Sequence, residues 1–223
     1  MASGMIRYSK ASRSEGGRVE HRSGDIVGSQ TDVQRDLAVC GCSLVPGEKN
    51  SHVAEGAHDP TPTPYFVLED LLGGLGLTEA DHVLDVGCGT GRVLAYAVWA
   101  GLPGQVTGVE LDARLAAQAA SWSAHYDNIH VVCGSVLDLT LEPYSCFYLF
   151  NPFDTPVLRA FLDKLECEAA RPVTLVHMSD NGEWPAYLGR SGWTLLREGA
   201  FDLPAEGERD ECPQHFSVRR FTP

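Results

Sequence analysis

Downstream of Thr63 the apolar residues alternate between two arrangements. In "TPYFVLEDLLGGLGL" Val67, Leu68, Leu71, Leu72 and Leu75 fall on one helical face, Thr63 and Pro64 suit the cap and first turn, and Gly73, Gly74 and Gly76 end the helix. Five continuous apolar runs of strand length follow: "HVLDVG", "QVTGVEL", "IHVVCG", "CFYLFN" and "VTLVHM". Unbroken runs of this kind belong to strands covered on both faces. Between them, "RVLAYAVWAG", "DARLAAQAASWSAHY" and "TPVLRAFLDKLECEAA" space their apolar residues for helices. The repeated strand-helix order predicts an α/β fold, a doubly wound, mostly parallel sheet with helices on both faces. The tail breaks the rhythm: a helix near Glu183 to Gly189 precedes "GWTLLREGAFDL", an acidic loop containing Pro and Gly, and "HFSVRRF". Two strands joined in this way predict a C-terminal antiparallel hairpin at the sheet edge.

Upstream the pattern fades. Residues 1–36 are rich in Ser, Gly, Arg and Asp and have almost no apolar period, so they are expected to lack ordered structure. "DLAVCGCSLV" predicts a short strand or helical turn packed on the domain, and "GEKNSHVAEGAHD" a loop. The organisation expected is an extension over residues 1–60, largely disordered or irregular, and one domain over 61–223.

Composition narrows the partners. Residues 61–223 hold ten Lys and Arg against twenty-two Asp and Glu, whereas residues 1–60 hold seven against eight. Affinity for polyanions comes from basic residues at phosphates, so an acidic domain weighs against nucleic acid and favours a small-molecule or protein partner. Seven cysteines form no metal-ligand pattern, since Cys40-Gly41-Cys42 lacks the usual spacing and has no second pair. They read as free thiols in a reducing compartment, with no metal. No apolar stretch reaches membrane-spanning length, and the reading is a cytoplasmic protein.

The chemistry concentrates in "DVGCGTGR", Asp85 to Arg92, where Gly87, Gly89 and Gly91 alternate directly after a predicted strand. A phosphate-binding P-loop needs a Gly-Lys-Ser/Thr ending that is missing here. A dinucleotide fingerprint is nearer, but the third glycine comes one residue early. With its preceding acid, "VLDVGCGTGR" resembles the first motif of class I S-adenosylmethionine-dependent methyltransferases, whose fold is a seven-stranded doubly wound sheet ending in an antiparallel hairpin. The resemblance implies S-adenosyl-L-methionine as cofactor. Asp85, Gly87, Gly89 and Gly91 would then line its methionine portion, with the backbone close to it. "VTGVELD" resembles the second motif, which implies Glu110 at the ribose hydroxyls and Leu111 against the adenine. A carboxylate suits two adjacent O–H donors because it has two accepting oxygens. Where the family often carries Gly-Asp after the third strand, this chain has Gly134, Ser135 and Val136, leaving Ser135 or Asp138 for the adenine amino group. Thr63 and Tyr65 occupy the segment that often closes over the methionine end.

"YLFNPFD" resembles the Asp/Asn-Pro-Pro-aromatic sequence of methyltransferases acting on amino groups, with one proline missing. It implies that Asn151 holds the acceptor amine and Phe153 packs on it, so nitrogen is slightly favoured over oxygen. Positioning supplies most of the rate in such a transfer, and no general base is evident. The simpler readings differ: Asn151-Pro152-Phe153 as turn and core, His177 as a hydrogen-bonded structural residue, and Cys88 as a small residue that fits. Trp99, Trp122, Trp184 and Trp193 read as packing residues, with Trp184 and Tyr187 also candidates for a pocket wall. Arg219 and Arg220 read as solvated charges on an edge strand. The function expected is therefore methyl transfer to an unidentified acceptor. A non-catalytic S-adenosylmethionine-binding or interaction protein and an NAD-dependent oxidoreductase are the alternatives.

Overall fold

The computed structural model describes residues 28–47, 52, 56–178, 184–204 and 211–223. Its helices are α1 (Gly28–Cys40), α2 (Tyr65–Leu71), α3 (Arg92–Ala100), α4 (Ala113–Ser123) and α5 (Thr155–Glu168). The strands are β1 (His82–Val86), β2 (Gln105–Glu110), β3 (Ile129–Cys133), β4 (Cys146–Phe150), β5 (Val173–Met178), β6 (Trp193–Pro204) and β7 (Glu211–Phe221). They form one seven-stranded sheet in the order β3-β2-β1-β4-β5-β7-β6. The first five pair in parallel, and β7 runs antiparallel to both β5 and β6. All five continuous apolar runs are strands, and the three helix-period segments between them are α3, α4 and α5.

Burial explains the unbroken runs. On one face Leu84, Val86, Phe147 and Leu149 pack against Leu158, Phe161, Leu162 and Leu165 of α5. On the other, Val83 meets Leu94 of α3 and Trp122 of α4, while Tyr148 and Val176 meet Leu68 and Leu71 of α2. Successive strand residues therefore both find apolar cover. The chain runs outward from β1 through β2 to β3, then returns to place β4 on the other side of β1. Connections diverge at such a reversal and leave a crevice at the carboxyl ends of the strands. Asp85, Glu110 and Asn151 stand at that end.

Several local expectations differ from the structure. Helix α1 begins at Gly28, within the stretch expected to lack order up to residue 36. Its Asp36 is fully buried and ion-paired with Arg92, a tertiary contact that the weak apolar period did not signal. Residues 1–27 and the acidic loop at 205–210 lie outside the described residues. Thr63 does not cap α2; the N-cap is Pro64 without a side-chain bond, and the Thr63 hydroxyl pairs with that of Tyr148 at 3.0 Å. The helix expected near Glu183 to Gly189 is a single 3-10 turn, Trp184–Tyr187. The C-terminal hairpin is present at the sheet edge, but its last strand, β7, lies inside the sheet and β6 is the edge strand. Arg219 is consequently half-buried, its guanidinium 4.2 Å from the centroid of the Tyr187 ring, whereas Arg220 is exposed. Among the described residues no helix is long and apolar enough to cross a membrane.

Candidate functional site

The glycine loop joins β1 to α3. Gly87, Gly89 and Gly91 have φ of +73°, +55° and +95°, a region that side-chain-bearing residues avoid. The backbone N–H groups of Gly87 and Cys88 donate to the Val109 carbonyl, tying the loop to β2. The glycines were expected to make way for a ligand, but the space at two of them is occupied by the protein. A Cβ on Gly87 would stand 2.6 Å from Cβ of Pro152, and one on Gly91 would stand 2.9 Å from the Trp122 ring. Only at Gly89 is the nearest neighbour at ordinary contact distance, Pro60 at 3.5 Å. Cys88 is buried, and its sulfur is why Gly108 on β2 has no room for a side chain: a Cβ there would lie 2.6 Å from it.

Two buried acids flank the loop. Glu110 Oε2 accepts from the Gly89 N–H and Oε1 from the Asp112 N–H, each at 2.8 Å. Burial raises its carboxyl above the usual range, and those two N–H bonds work in the opposite direction. Asp85 is 3% exposed, and its Oδ2 is buried without a hydrogen-bond partner. Burial pushes this carboxyl well up, and the nearby Glu110 adds to the effect. An acceptor oxygen left buried and unpartnered costs roughly 1–3 kcal/mol, which a donor from a ligand would recover. Arg92, at the start of α3, does not neutralise the acids, because its charge is engaged by Asp36 at 2.6 Å with Asp32 at 3.9 Å.

One cavity collects most of the residues singled out in the sequence: Thr63, Asp85, Gly87, Gly89, Glu110, Leu111, Ser135, Val136, Asn151 and Phe153 all line it. Tyr65 and Gly91 do not. Tyr65 is fully buried and its hydroxyl donates to Asp36, so it braces α2 against α1. Gly91 lies behind the loop as the N-cap of α3. Ser135 lines the cavity and Asp138 does not; the Ser135 hydroxyl also accepts the Leu137 N–H at 3.2 Å.

Asn151 has φ of +41°, the one positive value at a non-glycine among the described residues, and its Oδ1 is buried without a partner. Residues held in such sparsely populated backbone regions cluster at functional sites. Phe153 packs on Phe161 of α5 and bridges to Ala57. That bridge belongs to a segment whose sequence predicts a loop. Residues 56–63 run over the cavity, with the His58 N–H donating to the Pro152 carbonyl at 3.0 Å and the Asp154 N–H to the Gly56 carbonyl at 2.9 Å. His58, Pro60 and Pro46 line the cavity too, so the segment upstream of residue 60 contributes to the site. Only the prolines of "HDPTPTPY" hinted at a stiff, ordered stretch.

The remaining candidates lie outside the cavity. His177 is 1% exposed, its Nδ1 is 2.9 Å from the Tyr187 hydroxyl, and burial drives its ring down to about 3. Trp184 is exposed and Tyr187 buried, and neither lines the cavity. Trp122 donates its indole N–H to the Thr90 carbonyl, and Trp193 donates to Glu166.

The residues present fit S-adenosylmethionine. The unpartnered Asp85 oxygen can take an ammonium N–H, and each Glu110 oxygen keeps a second lone pair for a ribose hydroxyl. Comparisons with known proteins agree. Residues 83–167 match the family described as a methyltransferase domain. Over 85 residues the chain is 35% identical to a malonyl-[acyl-carrier protein] O-methyltransferase of Marinomonas sp. (strain MWYL1), covering 38% of this chain and 32% of that protein. The chain thus spans about a third of the length of that curated relative. Among solved structures it is similar to an RNA methyltransferase from Salinibacter ruber in complex with S-adenosyl-L-homocysteine, with a TM-score of 0.53, 20% identity, and coverage of 73% of this chain and 93% of that one. It is also similar to the N-methyltransferase NodS from Bradyrhizobium japonicum, with a TM-score of 0.54, 16% identity, and coverage of 71% and 94%. Residues 83–167 thus match a methyltransferase domain, and the sheet that they help to form has the class I, Rossmann-like fold of the solved methyltransferases.

Proposed function

We propose that this chain transfers a methyl group from S-adenosylmethionine to a nitrogen of an acceptor held beside Asn151. The observation that carries this reading is a pair of orphaned oxygens. Asp85 Oδ2 and Asn151 Oδ1 are the two buried side-chain polar atoms without a partner among the described residues, and both residues line the cavity. Asp85 would hold the cofactor's ammonium and Glu110 its ribose, with Leu111, Ser135 and Val136 at the adenine. When bound, the cofactor supplies a methyl group on a positively charged sulfur.

Asn151 Oδ1 needs a hydrogen donor from the acceptor. A hydroxyl has a single hydrogen, the one it must lose on methylation, whereas an amino group can give one N–H to Asn151 and keep its lone pair for the methyl. Phe153, which lines the cavity, would pack on a planar acceptor. The acids at the cavity and the excess of acidic residues in 61–223 favour a neutral or cationic acceptor, a small molecule or a protein group, over RNA. The cavity has a volume of about 210 Å³, and residues 57–63 form part of its wall.

The test combines calorimetry with S-adenosylhomocysteine and transfer of labelled methyl from S-adenosylmethionine into fractionated cell extract. Glu110→Ala is expected to weaken S-adenosylhomocysteine binding about 10- to 100-fold, the equivalent of one or two charge-assisted hydrogen bonds. Asn151→Ala should keep that affinity and lose transfer. Binding of NAD in place of S-adenosylhomocysteine would support the oxidoreductase, binding without transfer the non-catalytic protein, and label in an RNA fraction an RNA acceptor.

A further inference from the structure

We propose that His58 is a catalytic residue, the group that takes the proton released by the acceptor's nitrogen. This rests on the methyl-transfer reading above. His58 lines the cavity and touches Asn151 directly: its ring Nδ1 is 2.8 Å from the Asn151 carbonyl oxygen. A carbonyl oxygen can only accept, so Nδ1 carries the hydrogen, and in the neutral ring the basic lone pair is on Nε2. The ring is therefore anchored, in the tautomer a base needs, to the residue whose side chain holds the acceptor.

The anchoring is two-fold. The His58 backbone N–H donates to the Pro152 carbonyl, and Ala57 bridges to Phe153, so residues 57–58 lie as a short antiparallel piece along 152–153. Gly56 permits this close approach: its φ is +84°, and a Cβ there would stand 2.9 Å from the Asp154 carboxylate. The other titratable groups around the cavity suit the task less well. Glu110 already holds two backbone N–H groups, Asp85 sits at the donor end with it, and burial makes the Cys88 thiol and the Tyr148 hydroxyl harder to ionise. Asp59 follows His58 and lines the same cavity, and it is the rival.

The step balances without another reagent. The nitrogen's lone pair forms the bond to the methyl carbon as the carbon–sulfur bond breaks, and that bond's electron pair stays on sulfur. One N–H proton passes to His58 Nε2, which becomes imidazolium and later releases it to water. Nδ1–H stays on the Asn151 carbonyl throughout.

Two variants of the full chain separate catalysis from anchoring. His58→Asn offers an amide N–H near the position of Nδ1 but no base, and His58→Ala removes both. Both are expected to bind S-adenosylhomocysteine as the unaltered chain does and to lose about 10²- to 10⁴-fold in labelled methyl transfer into the extract fraction that the unaltered chain modifies. Added imidazole should restore part of the activity of His58→Ala, which a purely structural role does not predict. Nitrogen NMR of the labelled chain in mildly alkaline buffer should show the His58 ring protonated at Nδ1. Full transfer by His58→Asn, an Nε2-protonated ring, or loss of transfer in Asp59→Asn with His58→Asn active would each overturn the role of His58 and leave methyl transfer standing. Absence of transfer by the unaltered chain to any fraction would remove both.

Discussion

Asp36 offers the sharpest test of how the site is held. Its carboxylate is 0% exposed and accepts from Arg92 Nε at 3.2 Å, Arg92 Nη2 at 2.6 Å, the Tyr65 hydroxyl at 3.1 Å and the Leu44 N–H at 3.1 Å. One side chain thus ties α1, the turn after it, α2 and the first residue of α3. The Leu44 carbonyl in turn accepts the Thr90 hydroxyl of the glycine loop at 2.5 Å. Removing one member of a buried ion pair typically costs about 3–5 kcal/mol, because the other charge is left without compensation. Asp32, 3.9 Å from Arg92 Nη1, retains part of that compensation, so Asp36→Ala is expected near the lower end, about 3 kcal/mol. For a chain of this size that is a fall of roughly 6–12 °C in Tm. Urea unfolding by linear extrapolation measures the first quantity and a thermal scan the second. The double change Asp36→Leu with Arg92→Met should recover much of the loss, since replacing a whole buried pair by apolar groups is often neutral. A loss below about 1 kcal/mol in Asp36→Ala would show that α1 is not a structural part of the domain.

Two further outcomes follow from the geometry. The folded state holds His177 neutral down to about 3, whereas the unfolded chain protonates it near 6.5. Between those values the unfolded state binds the extra proton, so its contribution to stability is complete above about 6.5 and falls by about 1.4 kcal/mol per pH unit on acidification. Urea unfolding across that window should give a slope smaller by this amount in His177→Gln, and identical slopes would contradict the burial of the ring. Gly87→Ala places a Cβ 2.6 Å from that of Pro152 at a φ of +73°, adding a clash to a backbone penalty of about 1–2 kcal/mol. Lower Tm together with weaker S-adenosylhomocysteine binding is expected, and a variant unchanged in both would show that Pro152 moves aside freely.

The order of strands and helices and the grouping of Asp85, the glycine loop and Glu110 were legible in the sequence, for a local reason. Strand and helix periods report burial within a few residues, and Asp85, the three glycines and Glu110 lie in two short stretches at the ends of β1 and β2. The glycines stand out in the sequence as positions that exclude a side chain, but it is Pro152 and Trp122, distant in sequence, that exclude one at Gly87 and Gly91. The boundary drawn at residue 60 concealed two pairings: Asp36 with Arg92 across 56 positions and His58 with Asn151 across 93. Apolar periodicity does not encode which polar groups meet once the chain has folded. Tyr65 shows the same limit, because its neighbourhood in sequence suggested a ligand while its hydroxyl serves Asp36. The sequence alone determined the sheet and the placing of Asp85 and Glu110 at its strand ends. Only the tertiary structure decided which distant side chains meet in the cavity, because hydrogen-bond partners are chosen by proximity in space.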